Sequence, residues 1–372
     1  MKMKYDYLIV GAGLFGAVFA HEATKRGRKC LVVDKRDHVG GLVYTYEEEG
    51  INVHKYGAHV FNTSNPEVWE YIRRFAEFNR FTNTVIARYK DEQYNLPFNM
   101  HTFYQMWGCT TPRQARERIS EQTSAYRNEA PKNLEEHVLS MVGHDLYVKL
   151  IKGYSEKQWG RPCRELPASV IARIPLRFTY DNNYYDTAYQ GIPIGGYTRV
   201  INKMLEGSDV LTGTDFFSNK SELLPGAGSV LFTGKIDEYF GYHFGELEYR
   251  GLRFETETLP TDNYQGVAVV NYTDFDVPYT RVIEHKHFEF GTSDKTVVSR
   301  EYPTRHSRGE DAFYPVNDRR NSELFDKYKA LADGEQNVIF GGRLGSYQYT
   351  NMQDTILNAL RCAQKSFGEL HG

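Results

Sequence analysis

Cysteine is scarce: the 372 residues hold only Cys30, Cys109, Cys163 and Cys362, far apart and without paired metal-ligand spacing. This excludes a disulfide framework and a thiolate metal site, and predicts reduced thiols in a cytoplasmic protein. No Cys-x-x-Cys adjoins the opening segment, which argues against thiol–disulfide chemistry. An excess of one charge is also lacking. A formal net charge of -3 provides no field to draw in nucleic acid, so any anion must be held by a few local arginines. No run approaches the roughly 18 apolar residues of a membrane span. The basic start Met1-Lys2-Met3-Lys4 enters a strand without a signal-peptide cleavage site. Ser-His-Asp order, paired histidine spacing and a Walker glycine loop are missing, which argues against hydrolase and metal chemistry. Internal repeats and low-complexity segments are missing too.

What is abundant is aromatic: 28 Tyr and 22 Phe, enough rings for both cores and a stacking pocket. Hydrophobic residues at 40% and charged residues at 25% fit a soluble globular chain. The length exceeds what one core usually serves, so two or three subdomains are expected.

The opening stretch carries the first chemistry. Tyr7 to Val10 reads as a strand, Gly11, Gly13 and Gly16 as a G-x-G-x-x-G turn, Ala17 to Arg26 as a helix, and Cys30 to Val33 as a second strand ending at Asp34. In such a unit the first glycine permits the tight turn and the second lets the backbone approach a pyrophosphate. The third lets helix and strand close up, and the acid accepts from the ribose hydroxyls. An acid at this strand end disfavours a 2′-phosphate. The following Asp34-Lys35-Arg36 and the pair Gly40-Gly41 are similar to those of FAD proteins of the glutathione reductase and amine oxidase type. That favours a permanently held FAD over an exchanging NAD.

Tyr56 to Phe61 reads as a strand near a flavin ring, with His59 either a cofactor contact or a core histidine. Asn65 to Phe75 predicts a helix with Pro66 at its first position, and residues 84–90 and 93–96 a hairpin. Capped starts at Thr111 and Asn133 mark helices. Gly195-Gly196-Tyr197 precedes an amphipathic helix through Leu205, and Val230 to Phe232 is a strand whose end at Gly234 suits a cofactor wall. The runs 252–255, 266–272, 280–289 and 296–302 alternate as antiparallel strands, with residues 170–190 as a candidate edge. Val338 to Phe340 is a strand stopping at Gly341-Gly342, followed by a helix from Asn351 to Phe367.

The resulting expectation is an α/β fold: an FAD-binding Rossmann-like domain with an inserted helical subdomain and an antiparallel sheet subdomain. The FAD-binding domain takes residues 1–97, 191–246 and 331–372. The helical subdomain takes 98–170, a sheet edge 171–190, and a substrate sheet 247–330.

Arg173 and Arg177 lie in an alternating apolar run and Arg281 in a strand-like one, without an acid close enough in sequence to explain them. Either each pairs with a distant carboxylate, or they clamp a diphosphate, which the planar donor fork suits. Aromatic density at Tyr154, Trp159, Tyr180, Tyr184, Tyr185 and Tyr189 provides faces for a base and a sugar, or simply core.

Several segments together resemble the bacterial UDP-galactopyranose mutase family. They are the glycine turn with Gly40-Gly41, Tyr56-Gly57-Ala58-His59, Phe81-Thr82-Asn83, Leu96-Pro97-Phe98-Asn99, Gly153-Tyr154-Ser155-Glu156-Lys157-Gln158-Trp159-Gly160, Tyr189-Gln190-Gly191-Ile192-Pro193, Tyr279-Thr280-Arg281, Phe313-Tyr314-Pro315 and Gly341-Gly342-Arg343-Leu344. The likeness covers nearly the whole chain in order. It implies conversion of UDP-galactopyranose to UDP-galactofuranose without net redox, in which reduced FAD attacks the anomeric carbon and the sugar opens as an iminium adduct before reclosing.

The resemblance also implies that residues 171–190 act as a mobile lid over the substrate, and it implies roles for single residues. Arg173 and Arg281 would bracket the diphosphate, Trp159 and Tyr154 would wall a mobile region, and Tyr184 would neighbour phosphate and ribose. Tyr314 and Tyr349 would donate to the diphosphate, with Asn83 and Asn271 near the substrate. Gly11, Gly13, Gly16, Asp34, Lys35, Gly40, Gly41, Leu42, His59, Gly342, Arg343 and Met352 would hold the cofactor. A homodimer and an external reductant such as NADPH or NADH are implied as partners, with no nucleic acid and no membrane insertion.

Departures from the family pattern bear on the sugar. Leu42 stands where Asn is usual, Asn62 where a second His is usual, Thr350 and Asn351 for Tyr-Asp, and Gln353 for His. UDP-galactose is the first expectation. A 6-deoxy, N-acetylated or uronic hexose is the alternative, including dTDP-fucose, UDP-N-acetylgalactosamine and UDP-galacturonic acid; His59, kept as in galactose enzymes, disfavours the N-acetylated sugar. Two competing readings are an FAD-dependent oxidoreductase, which predicts net flavin reduction by substrate, and a nucleotide-sugar binding protein without turnover.

Overall fold

The computed structural model describes residues 4–126, 131–171 and 174–368. A five-stranded parallel sheet forms the first layer, the part expected to bind a nucleotide, in the order Val338–Phe340, Ala227–Phe232, Tyr5–Val10, Cys30–Val33, Asp209–Leu211. Leu8, Ile9, Val32, Val33 and Leu231 are buried in near-continuous apolar runs, as strands covered on both faces require. The helix Leu14–Thr24 packs on one face between the helices Tyr197–Leu205 and Met352–Ser366. Their shared core joins Val18 and Phe19 to Val200, Ile201, Ile356 and Ala359.

The first helix begins at Leu14, three residues before the expected Ala17, because the glycine turn itself supplies the N-cap at Gly13. Asn65 caps the helix Pro66–Arg73 by accepting from the Glu67 and Val68 amides. Thr111 and Gln114 form a reciprocal capping box at the helix Pro112–Thr123, and Asn133 caps Leu134–Val142.

A seven-stranded mixed sheet forms the second layer, in the order Tyr314–Pro315, Tyr249–Leu259, Thr296–Arg305, Arg281–Glu284, Val269–Tyr272, Val85–Tyr89, Glu92–Leu96. Its edge is the 85–96 hairpin, not residues 170–190, and one pair, Val269–Tyr272 with Val85–Tyr89, is parallel. The hairpin therefore belongs by hydrogen bonding to the second sheet rather than to the part expected to bind a nucleotide. Tyr189–Gly191 pairs instead with Phe61–Thr63. The helices between 100 and 159 cover one face of this sheet, with Phe103, Leu134, Val138 and Leu146 sharing a core with Val85, Ala87, Val269 and Ile283.

Two expected strands are shorter than their sequence pattern. Tyr56 to Val60 is irregular, with Gly57 at φ +101°, and the strand starts only at Phe61. The run 280–289 leaves the sheet after Glu284 and closes in a 3-10 turn, His285–Glu289. Glu284 explains the exit: its buried carboxylate accepts from the Tyr264 and Gln265 amides, both 2.9 Å away, and from the Thr296 hydroxyl at 2.8 Å. The His287 imidazole, 3.1 Å away, and these bonds hold its carboxyl down at about 2 despite burial, which alone would raise it.

Candidate active site

The central strand of the parallel sheet ends at Gly11, whose φ of +111° lies in the region that favours glycine. A Cβ there would overlap the Thr233 hydroxyl, and one at Gly16 would overlap the Gly11 carbonyl. The Gly40-Gly41 pair closes onto this turn: the Gly40 amide donates to Ala12 O at 2.8 Å, and a Cβ at Gly41 would lie 3.0 Å from Gly13 Cα. Backbone thus meets backbone with no side chain between. Gly13 has no side chain to cap the helix, so the first-turn amides are left open to an anion.

A groove follows from this turn in two joined parts, of about 130 and 170 Å³. The first is lined by Asp34, Lys35, Phe216, Phe217, Thr233 and Gly234. The second brings together Gly11, Gly13, Gly16, Asp34, Gly40, Gly41, Leu42, His59, Gly342, Arg343 and Met352. All the residues that sequence reasoning assigned to a cofactor therefore line one groove.

Asp34 is 4% exposed. Its carboxylate accepts from the Ala12 amide at 2.9 Å and the Arg36 amide at 3.0 Å, and is balanced by the Arg36 guanidinium at 3.7 Å. Arg36 in turn pairs with Asp311 at 2.6 Å. Arg36 was marked in the sequence only as part of the Asp34-Lys35-Arg36 segment and Thr233 not at all; Thr233 lies far outside the glycine motif and reaches it only through the fold.

His59 sits where the groove turns toward the second sheet. Its Nδ1 lies 2.7 Å from the Gly57 carbonyl, which can only accept, so Nδ1 carries the proton and Nε2 is left as an acceptor. Burial pushes the imidazole down to about 4, with the charges of Arg343 and Arg281 adding to the effect. At neutral pH it is an uncharged acceptor.

Beyond His59 lies a cavity of about 550 Å³ whose walls include Tyr154, Trp159, Tyr184, Arg281, Tyr314 and Tyr349. Arg281 pairs with Glu301, 3.1 Å away and 1% exposed. Burial works against the cation, but the Glu301 charge outweighs it and Arg281 stays protonated. Burial raises Tyr154 to about 12 and also raises Tyr314, so both phenols are hydrogen-bond donors at neutral pH. The groove and cavity meet where Arg343 lies 5.0 Å from the ring centre of Tyr349, which is 5.6 Å from that of Tyr314. Arg343 is fixed there by donating to Phe313 O at 3.1 Å and Thr350 O at 2.7 Å.

Not every candidate lines the cavity. Asn83 is buried behind it, where its carbonyl accepts from the Tyr184 amide at 2.7 Å. Asn271 is the cross-strand partner of Arg281. Arg173 lies outside the described residues. Arg177 has an acid near in sequence after all: it pairs with Asp181 at 3.5 Å and donates to Asn183 O. Tyr180 is exposed and donates to Thr110 O, while Tyr189 stacks on Trp69. Of the departures, Asn351 caps the last helix by accepting from the Asp354 amide at 2.8 Å, and Gln353 accepts from the Thr63 hydroxyl. Glu301 was missed because nothing local marks it; only strand pairing sets it opposite Arg281.

Residues 9–75 match the model of an NAD(P)-binding Rossmann-like domain, and residues 149–349 match that of UDP-galactopyranose mutase. Over 97% of this chain and 94% of the relative, the sequence is 38% identical to a probable UDP-galactopyranose mutase of Klebsiella pneumoniae. Over 96% of this chain and 97% of the relative, it is 38% identical to the dTDP-fucopyranose mutase of Escherichia coli. A crystal structure of reduced UDP-galactopyranose mutase shares the fold with a TM-score of 0.76 over 99% of this chain and 96% of that one, at 14% identity. Among the described residues, no helix is long and apolar enough to cross a membrane. The chain belongs to the UDP-galactopyranose mutase family.

Proposed function

We propose that this protein interconverts UDP-galactopyranose and UDP-galactofuranose with FAD in its reduced form. The observation that carries this reading is the junction of a glycine-walled groove with a cavity lined by Arg281, which is paired to the buried Glu301, and by several protonated tyrosines. A nucleotide dehydrogenase needs no such second anion site.

The groove fits FAD on three counts: the side-chain-free turn at Gly11, Gly13 and Gly41, the open amides at Gly13, and the Asp34 carboxylate. Reduced FAD, held there, would supply an electron-rich nitrogen as nucleophile toward the anomeric carbon, without net redox. The protein's own residues do the rest. Arg281 offsets the charge that builds on the diphosphate as its bond to the sugar weakens, and Glu301 keeps the guanidinium aimed and charged. Tyr154, Tyr314 and Tyr349 donate hydrogen bonds to diphosphate oxygens, and Trp159 offers a face for the base. His59, neutral and with Nε2 free, accepts a hydrogen bond at the groove and holds no proton to give.

A second reading has equal support from sequence identity: dTDP-fucopyranose as substrate, given the 38% likeness to the Escherichia coli enzyme. Incubating dithionite-reduced protein with UDP-galactopyranose and, in parallel, dTDP-fucopyranose, with chromatographic separation of pyranose and furanose, decides between them. Conversion of the UDP sugar without net flavin oxidation is expected. Conversion of the dTDP sugar alone moves the assignment to it, and turnover of neither overturns both sugar assignments, leaving a different nucleotide hexose or a protein without turnover.

A further inference from the structure

One cation beside the cavity has been given no role. Lys157 lies on the helix Gly153–Trp159, which also carries Tyr154 and Trp159, but its ammonium points away from the cavity walls into a loop of the neighbouring sheet. All three of its donors are used on main-chain carbonyls: Tyr272 O at 2.8 Å, Val277 O at 2.9 Å and Tyr279 O at 2.9 Å. Among the described residues it makes no ion pair. The loop it fills joins the strands Val269–Tyr272 and Arg281–Glu284, and the strand residues at its base are the register partners Asn271 and Arg281. Tyr272 directly follows Asn271, and Tyr279 precedes Arg281 by two residues.

The rest of the contact is built for close approach. A Cβ at Gly153 would overlap Thr273 O and lie 2.9 Å from Phe275 N, so this helix start can rest on the loop only as glycine. Thr273 donates to Lys149 O at 2.6 Å, within the π-helical turn Tyr147–Lys152 that leads into the helix. On the helix's far end, the buried Arg250 donates to Gln158 O at 2.9 Å, which fixes the last carbonyls and thus Trp159. Three convergent carbonyls are the arrangement that a tetrahedral ammonium satisfies and a planar guanidinium does not.

We infer that Lys157 is a positioning residue for the nucleotide-sugar site, clamping the loop that presents Arg281 to the helix that presents Tyr154 and Trp159, and so fixing the distance between diphosphate cation and base wall. This rests on the proposed function, because it assumes that one ligand spans both walls. A ligand that reaches only the base wall does not feel the clamp, whereas one carrying the diphosphate does.

The test is a calorimetric titration of the flavin-loaded protein with UDP, alongside an NMR titration with uridine, for the wild type, Lys157→Met and Lys157→Arg. The methionine variant is expected to bind UDP about tenfold more weakly, about 1.4 kcal/mol, with uridine affinity changed less than about twofold. The arginine variant, which keeps the charge, is expected to lose UDP affinity to a similar degree, and it carries the test should the methionine variant not fold. Equal loss of uridine and UDP affinity in Lys157→Met, or wild-type UDP affinity in Lys157→Arg, overturns the clamp while leaving the mutase reading intact. If the wild type does not bind UDP, the proposed function falls and the clamp with it.

Discussion

The glycine-walled groove and the aromatic cavity lie side by side yet are built in opposite ways. The groove is a backbone structure: glycines at 11, 13, 16, 40 and 41 remove side chains so that main chain can meet main chain and an anion can meet open amides. The cavity is a side-chain structure, assembled from Tyr154, Trp159, Tyr184, Arg281, Tyr314 and Tyr349 on segments that share no local motif. A backbone site fails through collision, and a side-chain site fails through a lost charge or hydrogen bond. The two should therefore break separately.

Gly11→Ala is the sharpest test of the groove. Its Cβ would overlap Thr233 in a backbone conformation that alanine adopts poorly, at a combined cost of about 3 kcal/mol or more. The expected result is protein purified almost without flavin absorbance. A variant that retains full flavin content would mean that the turn relaxes and the groove is less rigid than its geometry implies.

Arg281→Met is the matching test of the cavity. It leaves the Glu301 carboxylate buried without its cation, which costs about 3 kcal/mol, and it removes the charge facing the diphosphate, for a loss of roughly 10²–10³ in kcat. Flavin content should stay near that of the wild type. Loss of flavin in this variant would show that the two sites are one energetic unit.

The sheet that carries Arg281 also carries an acid-sensitive anchor. The Glu284 carboxyl is held at about 2, below its ordinary 4.5. A depressed carboxyl contributes stability above its unfolded value and loses it as pH falls toward the folded one. The stability gap between wild type and Glu284→Gln should be full near pH 6, about 1–3 kcal/mol, and shrink between about 4.5 and 2. Chemical denaturation at several pH values measures it. A gap independent of pH would mean that the hydrogen bonds, not the charge, carry the anchor.

Asn351→Asp should have the smallest effect. Asn351 acts as a helix cap through Oδ1, and aspartate caps equally well. Melting curves should agree to within about 0.5 kcal/mol. With stability unchanged, the ratio of UDP-galactose to dTDP-fucose turnover in this variant reads the residue's effect on the sugar alone.

The same contrast governs what could be read before the structure. The sequence by itself determined the strand, glycine turn, helix and terminal acid of the nucleotide-binding unit, because those interactions connect residues close in the chain and each demands a particular residue type. The helix with Pro66 in its first turn and the helix starts at Thr111 and Asn133 were legible for the same reason. Only the tertiary structure decided that the 85–96 hairpin pairs with Val269–Tyr272, that Glu301 faces Arg281, and that Lys157 fills the loop below it. Alternating strands state which face is buried but not which strand is the neighbour. A buried cation announces that it needs a partner, while its distance in sequence from that partner is set by the order of strands in the sheet.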